Sequence, residues 1–164
     1  MKKTIALICL FTLLLTGCGN AKSLDFKSVL DTETGNAFSL GDNKSKFDKA
    51  LGDGVYDEQY KWYYYVNELM TVSFTEDHAT MISVRASTNR FEFKDMSITM
   101  KQADIEGRFV LDYTGYGYSW YCKYYDTNGK TATEDTAKFV AEIFMDTDGT
   151  KNSLAVMTYE YYNR

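Results

Sequence analysis

The sequence predicts an α+β fold built from two tandem repeats, each a short helix followed by an antiparallel three-strand meander, with the helices on one face of the sheet. Three observations predict it. Short segments recur at a fixed offset, helix start and stop signals precede each set of strands, and apolar residues alternate with period two between polar turns.

Two pairs of similar segments, each pair separated by 58 residues, indicate an internal duplication. The chain has only two tryptophans, and they fall at equivalent positions of these segments. We therefore predict a first repeat at residues 36–90 and a second at residues 91–164. The similar segments are residues 38–41, 60–63, 96–99 and 118–121.

Each repeat is predicted to begin with a short helix. In the first, Phe47 and Leu51 share a helix face at i, i+4, and Gly52 provides the stop signal. In the second, Ile105 and Phe109 have the same spacing. One apolar stripe on each helix would pack against the sheet.

Strands are predicted wherever tyrosine-rich or β-branched runs lie between short polar links. Asn128-Gly129 and Asp148-Gly149 are strong hairpin-turn signals in the second repeat. The predicted strands are residues 60–66, 69–75, 80–86, 116–125, 137–146 and 152–161.

The glycines around the first helix carry a family resemblance. Leu40-Gly41 opens this helix, Leu51-Gly52 closes it, and a tyrosine-rich meander follows. This order resembles the repeat of the β-lactamase-inhibitor-protein-like fold and the small domain of outer-membrane-assembly lipoproteins, which implies a repeat of helix and sheet. The chain departs from that pattern at Asp53-Gly54, where Gly-x-Pro is common, and it lacks the cysteine pairs of the secreted inhibitors.

The N-terminus has the form of a bacterial secretory signal. Lys2 and Lys3 precede an apolar run over residues 5–15, which is shorter than a membrane span. The run ends in Leu-Thr-Gly-Cys at residues 15–18, which resembles the lipobox of bacterial lipoproteins. The resemblance implies that residues 1–17 are removed and that Cys18 is acylated; the alternative is an ordinary cleaved signal.

The mature chain would begin with a lipidated N-terminus and spacer at residues 18–35, held on the extracytoplasmic side of the membrane by its lipid. Loss of Lys2 and Lys3 changes the formal net charge from −5 to −7. An acidic chain without a basic stripe does not fit a nucleic-acid binder.

No catalytic constellation is recognisable. His78 is the only histidine and lies in a polar link, and Cys122 lies within a predicted strand, where a buried small side chain is expected. An enzyme would need a carboxylate pair in a cleft, with Asp112, Glu134 and Asp135 as candidates.

Two acidic turns, at residues 126–129 and 146–149, resemble the middle of a calcium-binding loop. Aligned on their glycines, they lack a carboxylate at the first loop position and a glutamate at the last. They are interpreted as hairpin turns, and neither a metal nor a cofactor is predicted.

Strand alternation predicts which aromatic side chains form the open face of the sheet. Lys61, Ser119 and Lys123 favour a solvent-facing assignment for the tyrosines that alternate with them, while Trp62 and Trp120 would pack under the helices. Exposed tyrosines suit recognition. The predicted binding residues are Tyr63, Tyr65, Tyr121 and Tyr125.

Together these patterns predict a membrane-anchored extracytoplasmic lipoprotein that acts as a non-enzymatic binding module through an aromatic sheet face, with a protein as a possible partner. The alternative is an envelope enzyme, or a protein inhibitor of one.

We predict that Cys18 is the acylated N-terminus of the mature protein. Radiolabelled palmitate should enter the wild-type chain in cells and should not enter Cys18→Ser, because the thiol is the acceptor. Cys122→Ser is the matched control and should label like the wild type. Equal labelling of the wild type and Cys18→Ser would contradict the lipobox interpretation.

Overall fold

Antiparallel strands joined by short turns make up most of the computed structural model, which describes residues 24–146 and 148–163. Eleven strands lie in this part of the chain. They are β1 (Ser28–Asp31), β2 (Ala37–Ser39), β3 (Val55–Asp57), β4 (Trp62–Tyr65), β5 (Met70–Thr75), β6 (His78–Arg85), β7 (Phe91–Phe93), β8 (Val110–Gly115), β9 (Tyr118–Tyr125), β10 (Phe139–Asp146) and β11 (Lys151–Thr158).

The strands form two sheets. A small sheet has the order β2-β1-β7, and a large one has the order β3-β4-β5-β6-β11-β10-β9-β8. The large sheet is thus two four-strand meanders, β3–β6 and β8–β11, whose last strands pair antiparallel at its centre. All neighbouring strands of both sheets are antiparallel.

Three short helices complete the described fold: α1 (Lys44–Leu51), α2 (Gln102–Glu106) and α3 (Tyr159–Tyr162). The predicted first helix is confirmed. It buries Phe47, whose ring stacks on Phe38 of β2 with centroids 4.8 Å apart. It ends at Gly52, whose φ of +86° is a conformation that glycine adopts without a steric penalty.

The main core lies between one face of the large sheet and a layer formed by the small sheet, α1 and α2. Strand alternation supplies the sheet side of this core, because every second residue of the central strands is apolar. Members from the two layers include Val29, Phe38, Phe47, Ile105, Val72, Ile82, Val84, Ile143, Leu154 and Val156.

The predicted fold class is wrong. The described part of the chain is mostly antiparallel β, with 45% strand and 14% helix, and it is not a tandem repeat of a helix and a three-strand meander. The six predicted strands occur as β4–β6 and β9–β11, but β3 and β8 add an edge strand to each meander. Both edges expose apolar residues, so no clean alternation marks them as strands.

The small sheet is also missing from the prediction. Its strands have only three or four residues, too few for period-two alternation to stand out. β1 lies within residues 18–35, which the sequence predicts to be the lipidated N-terminus and spacer, so the folded part begins earlier than expected.

A buried ion pair in the small sheet joins the end of β1 to the residue that precedes β7. Asp31 at the end of β1 is fully buried, and Arg90 donates to both of its oxygens, from Nε to Oδ1 at 2.8 Å and from Nη2 to Oδ2 at 2.7 Å. Thr34 and the backbone N–H of Glu33 donate to the same carboxylate. Burial alone would raise the pKa of Asp31, but these hydrogen bonds outweigh it and hold that pKa below its ordinary value.

We predict that Arg90→Met lowers the free energy of unfolding by about 3 to 5 kcal/mol, because it leaves the Asp31 charge buried without its positive partner. Denaturant unfolding at pH 7 measures the loss. Arg85→Met is the matched control: it removes an exposed pair with Glu68 at 3.0 Å and should cost less than about 1 kcal/mol. Equal losses in the two variants would contradict the importance of the buried pair.

Candidate functional site

A cleft of about 680 Å³ lies on the face of the large sheet that points away from the main core. Strands from both meanders contribute side chains to it, and α3 lies at one end. The lining residues are Trp62, Thr71, Met81, Ser83, Asp112, Trp120, Glu134, Glu142, Phe144, Ser153, Ala155, Met157, Tyr161, Tyr162 and Asn163.

Small side chains form the floor of the cleft. Thr71, Ser83 and Ala155 are cross-strand neighbours on β5, β6 and β11, and Glu142 on β10 continues the same row. Residues opposite one another in a sheet point to the same face, so the row leaves an open strip across the central strands. The side chains of Thr71, Ser83 and Ala155 are small, which leaves room for the cleft above them.

Aromatic side chains form the two walls. Trp62 on β4 stacks on Tyr60, with centroids 4.7 Å apart and planes 19° apart. Trp120 on β9 packs against Phe144 of β10 and Tyr113 of β8, at 6.1 and 5.2 Å between centroids. The chain therefore places both of its tryptophans on the cleft, one from each meander.

The indole N–H of Trp62 is an unsatisfied hydrogen-bond donor, which lowers the stability of the fold. Its N–H is shielded from solvent and has no hydrogen-bond acceptor among the described residues. A buried donor without an acceptor costs about 1 to 3 kcal/mol.

Helix α3 closes one end of the cleft. Its N-cap is Thr158, whose side-chain oxygen accepts a hydrogen bond from the N–H of Tyr161 at 3.3 Å. The Tyr161 hydroxyl accepts from Ser73 of β5 at 3.1 Å, and the Tyr162 hydroxyl accepts from the Cys122 thiol of β9 at 3.7 Å. One short helix thus reaches both meanders.

The polar side chains of the cleft are mainly acidic. Glu142 is half-buried in the middle of β10, and Asp112 and Glu134 approach from β8 and from the short 3₁₀ turn at Glu134–Thr136. Burial, with a further contribution from the charge of Asp112, raises the pKa of Glu142 to about 7. Glu142 therefore titrates near neutral pH.

The predicted binding tyrosines do not lie on this face. Tyr65, Tyr121 and Tyr125 are buried in the main core, so the expectation that they are exposed is wrong. The Tyr65 hydroxyl donates to Asp48 of α1 at 2.8 Å, and half-buried Tyr63 packs beside Lys44 of the same helix. The helix-covered face is the tyrosine face.

The assignment of the tryptophans is wrong as well: Trp62 and Trp120 line the cleft, on the sheet face opposite to α1 and α2. The cause lies in the polar residues that set the assignment. Lys61 precedes β4 in a turn, with φ of +58°, so it does not report a sheet face. Lys123 extends over the ring of Tyr125 at 5.2 Å and reaches the edge of the core face.

The reactive candidates have ordinary structural roles. Cys122 is fully buried, and burial raises the pKa of its thiol to about 12, with a smaller contribution from the charge of Glu142. His78 is exposed at the start of β6, with its Nδ1 2.9 Å from the carbonyl oxygen of Gly41. Cys18, the predicted lipid site, lies outside the described residues.

The acidic turns behave as hairpin turns. The Asp126 carboxylate accepts from the backbone N–H groups of Asn128 and Lys130, at 2.8 and 3.0 Å, and these bonds lower its pKa. Within residues 24–146 and 148–163, no group of three or more His, Cys, Asp or Glu side chains is arranged to hold a metal ion.

Of the carboxylates named from sequence, Asp112 and Glu134 line the cleft, whereas Asp135 is exposed and does not. Sequence reasoning missed Glu142. Its signal is nonetheless present: a carboxylate in the middle of an apolar strand, FVAEIFMD, is expected to have a raised pKa or a specific partner.

No match to this chain was found among protein-family models, curated proteins or solved structures. In the part of the chain that the structure describes, no helix combines the length and the apolar character needed to cross a membrane.

We predict that Glu142→Gln removes a pH-dependent loss of stability. Because folding raises the pKa of this carboxyl from its ordinary 4.5 to about 7, the fold favours the protonated form. Its contribution is fully present below about pH 4.5 and is lost as the pH rises to about 7. The variant should match the wild type near pH 4.5 and exceed it by up to about 3 kcal/mol at pH 8.

Denaturant unfolding at pH 4.5, 6 and 8 measures this difference. Glu92→Gln, at an exposed position of β7, is the control and should show no pH-dependent gap. A constant gap between Glu142→Gln and the wild type at all three pH values would contradict the prediction.

Proposed function

We propose that this protein is a non-enzymatic binding module, held on the extracytoplasmic side of the membrane by a lipid on Cys18, which binds its ligand in the cleft on the open face of the large sheet. The observation that carries the proposal is the position of both tryptophans on that cleft. Large aromatic side chains beside an open strip are costly to leave exposed and are typical of binding surfaces.

The shape of the cleft supports the proposal. Its volume of about 680 Å³ lies in the range of small-molecule sites. The main core lies on the other face of the sheet, so a ligand could enter without disturbing the packing of α1 and α2. The floor and both walls stand on strands, which hold side chains more rigidly than loops do.

The chemistry of the cleft supports binding over covalent catalysis. With a pKa raised to about 12, the Cys122 thiol stays protonated at neutral pH and is a poor nucleophile. Its sulfur is also buried and engaged with Tyr162.

A second candidate function, general acid–base catalysis, is favoured by one observation. Burial raises the pKa of Glu142 to about 7, so this carboxyl can hold a proton near neutral pH, and Asp112 lies in the same cleft as a second carboxyl group. An enzyme would convert its bound ligand, whereas a binding module would release it unchanged, and Glu142→Gln would abolish only the conversion.

The proposal is tested with a fragment library that contains equal numbers of neutral, anionic and cationic compounds. The full-length chain carrying Cys18→Ser is titrated, and binding is followed by tryptophan emission and by backbone amide shifts. We expect fragments that change the emission to shift the amides of the floor residues Thr71, Ser83 and Ala155. We also expect them to be recovered chemically unchanged.

Ser83→Phe fills the floor without removing a wall, and it should weaken such binding by at least about tenfold, or about 1.4 kcal/mol. Tyr116→Ala is the matched control, because Tyr116 is 92% exposed in a turn outside the cleft. Amide shifts that cluster elsewhere, or unchanged binding in Ser83→Phe, would overturn the proposal. Recovery of a converted fragment would favour the enzyme.

A further inference from the structure

The carboxylates of the cleft differ in what they contact. Asp112 accepts a hydrogen bond from Tyr124 at 3.3 Å, and Glu134 accepts one from Tyr159 at 3.4 Å. Among the described residues, no hydrogen bond or ion pair reaches Glu142, although it is half-buried. No Lys, Arg or His in the described part of the chain lines the cleft. The described side chains that line the cleft therefore include three carboxyl groups and no positively charged group.

The aromatic wall lies next to this unpartnered carboxylate. Phe144 is two residues after Glu142 on β10, so both side chains point into the cleft, about 7 Å apart along the strand. Trp120 is the cross-strand neighbour of Phe144 on β9. A cation bound at Glu142 would thus lie within reach of two aromatic rings, and cation–π attraction acts within about 6 Å of a ring centroid.

Apolar side chains line the cleft between that point and the far wall. Met81 and Met157 are cross-strand neighbours on β6 and β11, and Trp62 lies beyond them on β4. Both methionines are largely buried, 4% and 6% exposed, in a second, smaller apolar cluster that also includes Ala155 of the floor. The cleft therefore combines one acidic point with an apolar strip that ends at an indole ring.

We propose that the ligand of this cleft is a small organic cation, a protonated amine carried on an apolar body, with its ammonium held by Glu142 beside Phe144 and Trp120 and its body lying towards Trp62. This inference rests on the proposed function and adds the chemical class of the ligand. Charge complementarity argues for the ammonium. The volume of the cleft and its closure by α3 argue for a small molecule over a long peptide segment.

The proposal implies that affinity depends on pH. The groups that face Glu142 are Asp112 from β8, Cys122 from β9, Glu134 from the 3₁₀ turn, and Tyr161 and Tyr162 from α3. Burial with the Asp112 charge places the pKa of Glu142 at about 7, and an alkyl ammonium stays charged up to about pH 10. Ammonium affinity should therefore rise by up to about tenfold from pH 6 to pH 8, as Glu142 ionises.

The test uses three probes that share one apolar body: 4-phenylbutylamine, 4-phenylbutanol and 4-phenylbutyrate. Tryptophan emission and calorimetry with the full-length Cys18→Ser chain give their affinities at pH 6, 7 and 8. We expect the amine to bind at least tenfold more tightly than the alcohol at pH 8, and the carboxylate to bind least. Only the amine should show the rise with pH.

Glu142→Gln should reduce the amine affinity to that of the alcohol and abolish its pH dependence, while leaving the alcohol affinity unchanged. Glu92→Gln, with an exposed carboxylate on the small sheet, should behave like the wild type in every titration. A dipeptide amide, acetyl-Phe-Lys-amide, presents the same ammonium on a peptide and should bind less tightly than the free amine.

Each other outcome has a definite meaning. Equal binding of amine and alcohol in the cleft would overturn the cation assignment and leave the binding module intact. Tighter binding of the dipeptide would overturn the small-molecule assignment. Absence of amine binding would overturn this inference whatever the fragment titration shows, and the binding module itself fails only if the fragments also avoid the cleft.

Discussion

Five cross-strand pairs, from Met81–Met157 to Arg85–Ser153, hold β6 against β11 in the middle of the large sheet. On one face, the pairing brings Ile82, Val84, Leu154 and Val156 into the main core. On the other, it aligns Ser83 with Ala155, which forms the floor of the cleft. Because neighbouring residues of a strand point to opposite faces, a slip of one residue would bury the floor and expose the core. The same register therefore determines both the stability of the fold and the shape of the candidate site.

Two carboxylates illustrate how differently the fold treats charge. Asp31 is fully buried, yet Arg90, Thr34 and a backbone N–H satisfy it, and its pKa falls. Glu142 is only half-buried, but no described group satisfies it, and its pKa rises. A satisfied buried charge holds neighbouring strands together, whereas an unsatisfied one leaves interaction energy available for a ligand. The difference lies in the partners and not in the depth of burial.

Sequence patterns predicted β4–β6 and β9–β11, because period-two alternation and turns such as Asn128-Gly129 are local signals. They did not predict β3, β8 or the small sheet, since short or edge strands carry too little alternation. They identified the aromatic residues of the meanders but reversed the two faces. Alternation shows which residues share a sheet face, but polar residues must decide which of the two faces meets solvent. Lys61 and Lys123 gave the wrong answer, because Lys61 lies in a turn and Lys123 lies on the core face beside Tyr125.

The position of β11 has a consequence for the order in which the chain acquires its structure. β11 is the last of the described strands along the chain and also one of the two central strands of the large sheet. Until β11 pairs with β6, the first meander has an open hydrogen-bonding edge at β6. The other three strands of the second meander join the large sheet only through β11. The two meanders therefore join only through contacts between residues far apart in sequence, and such contacts form slowly. Until they form, β6 is an unpaired edge, so folding and pairing with another chain compete at this one strand.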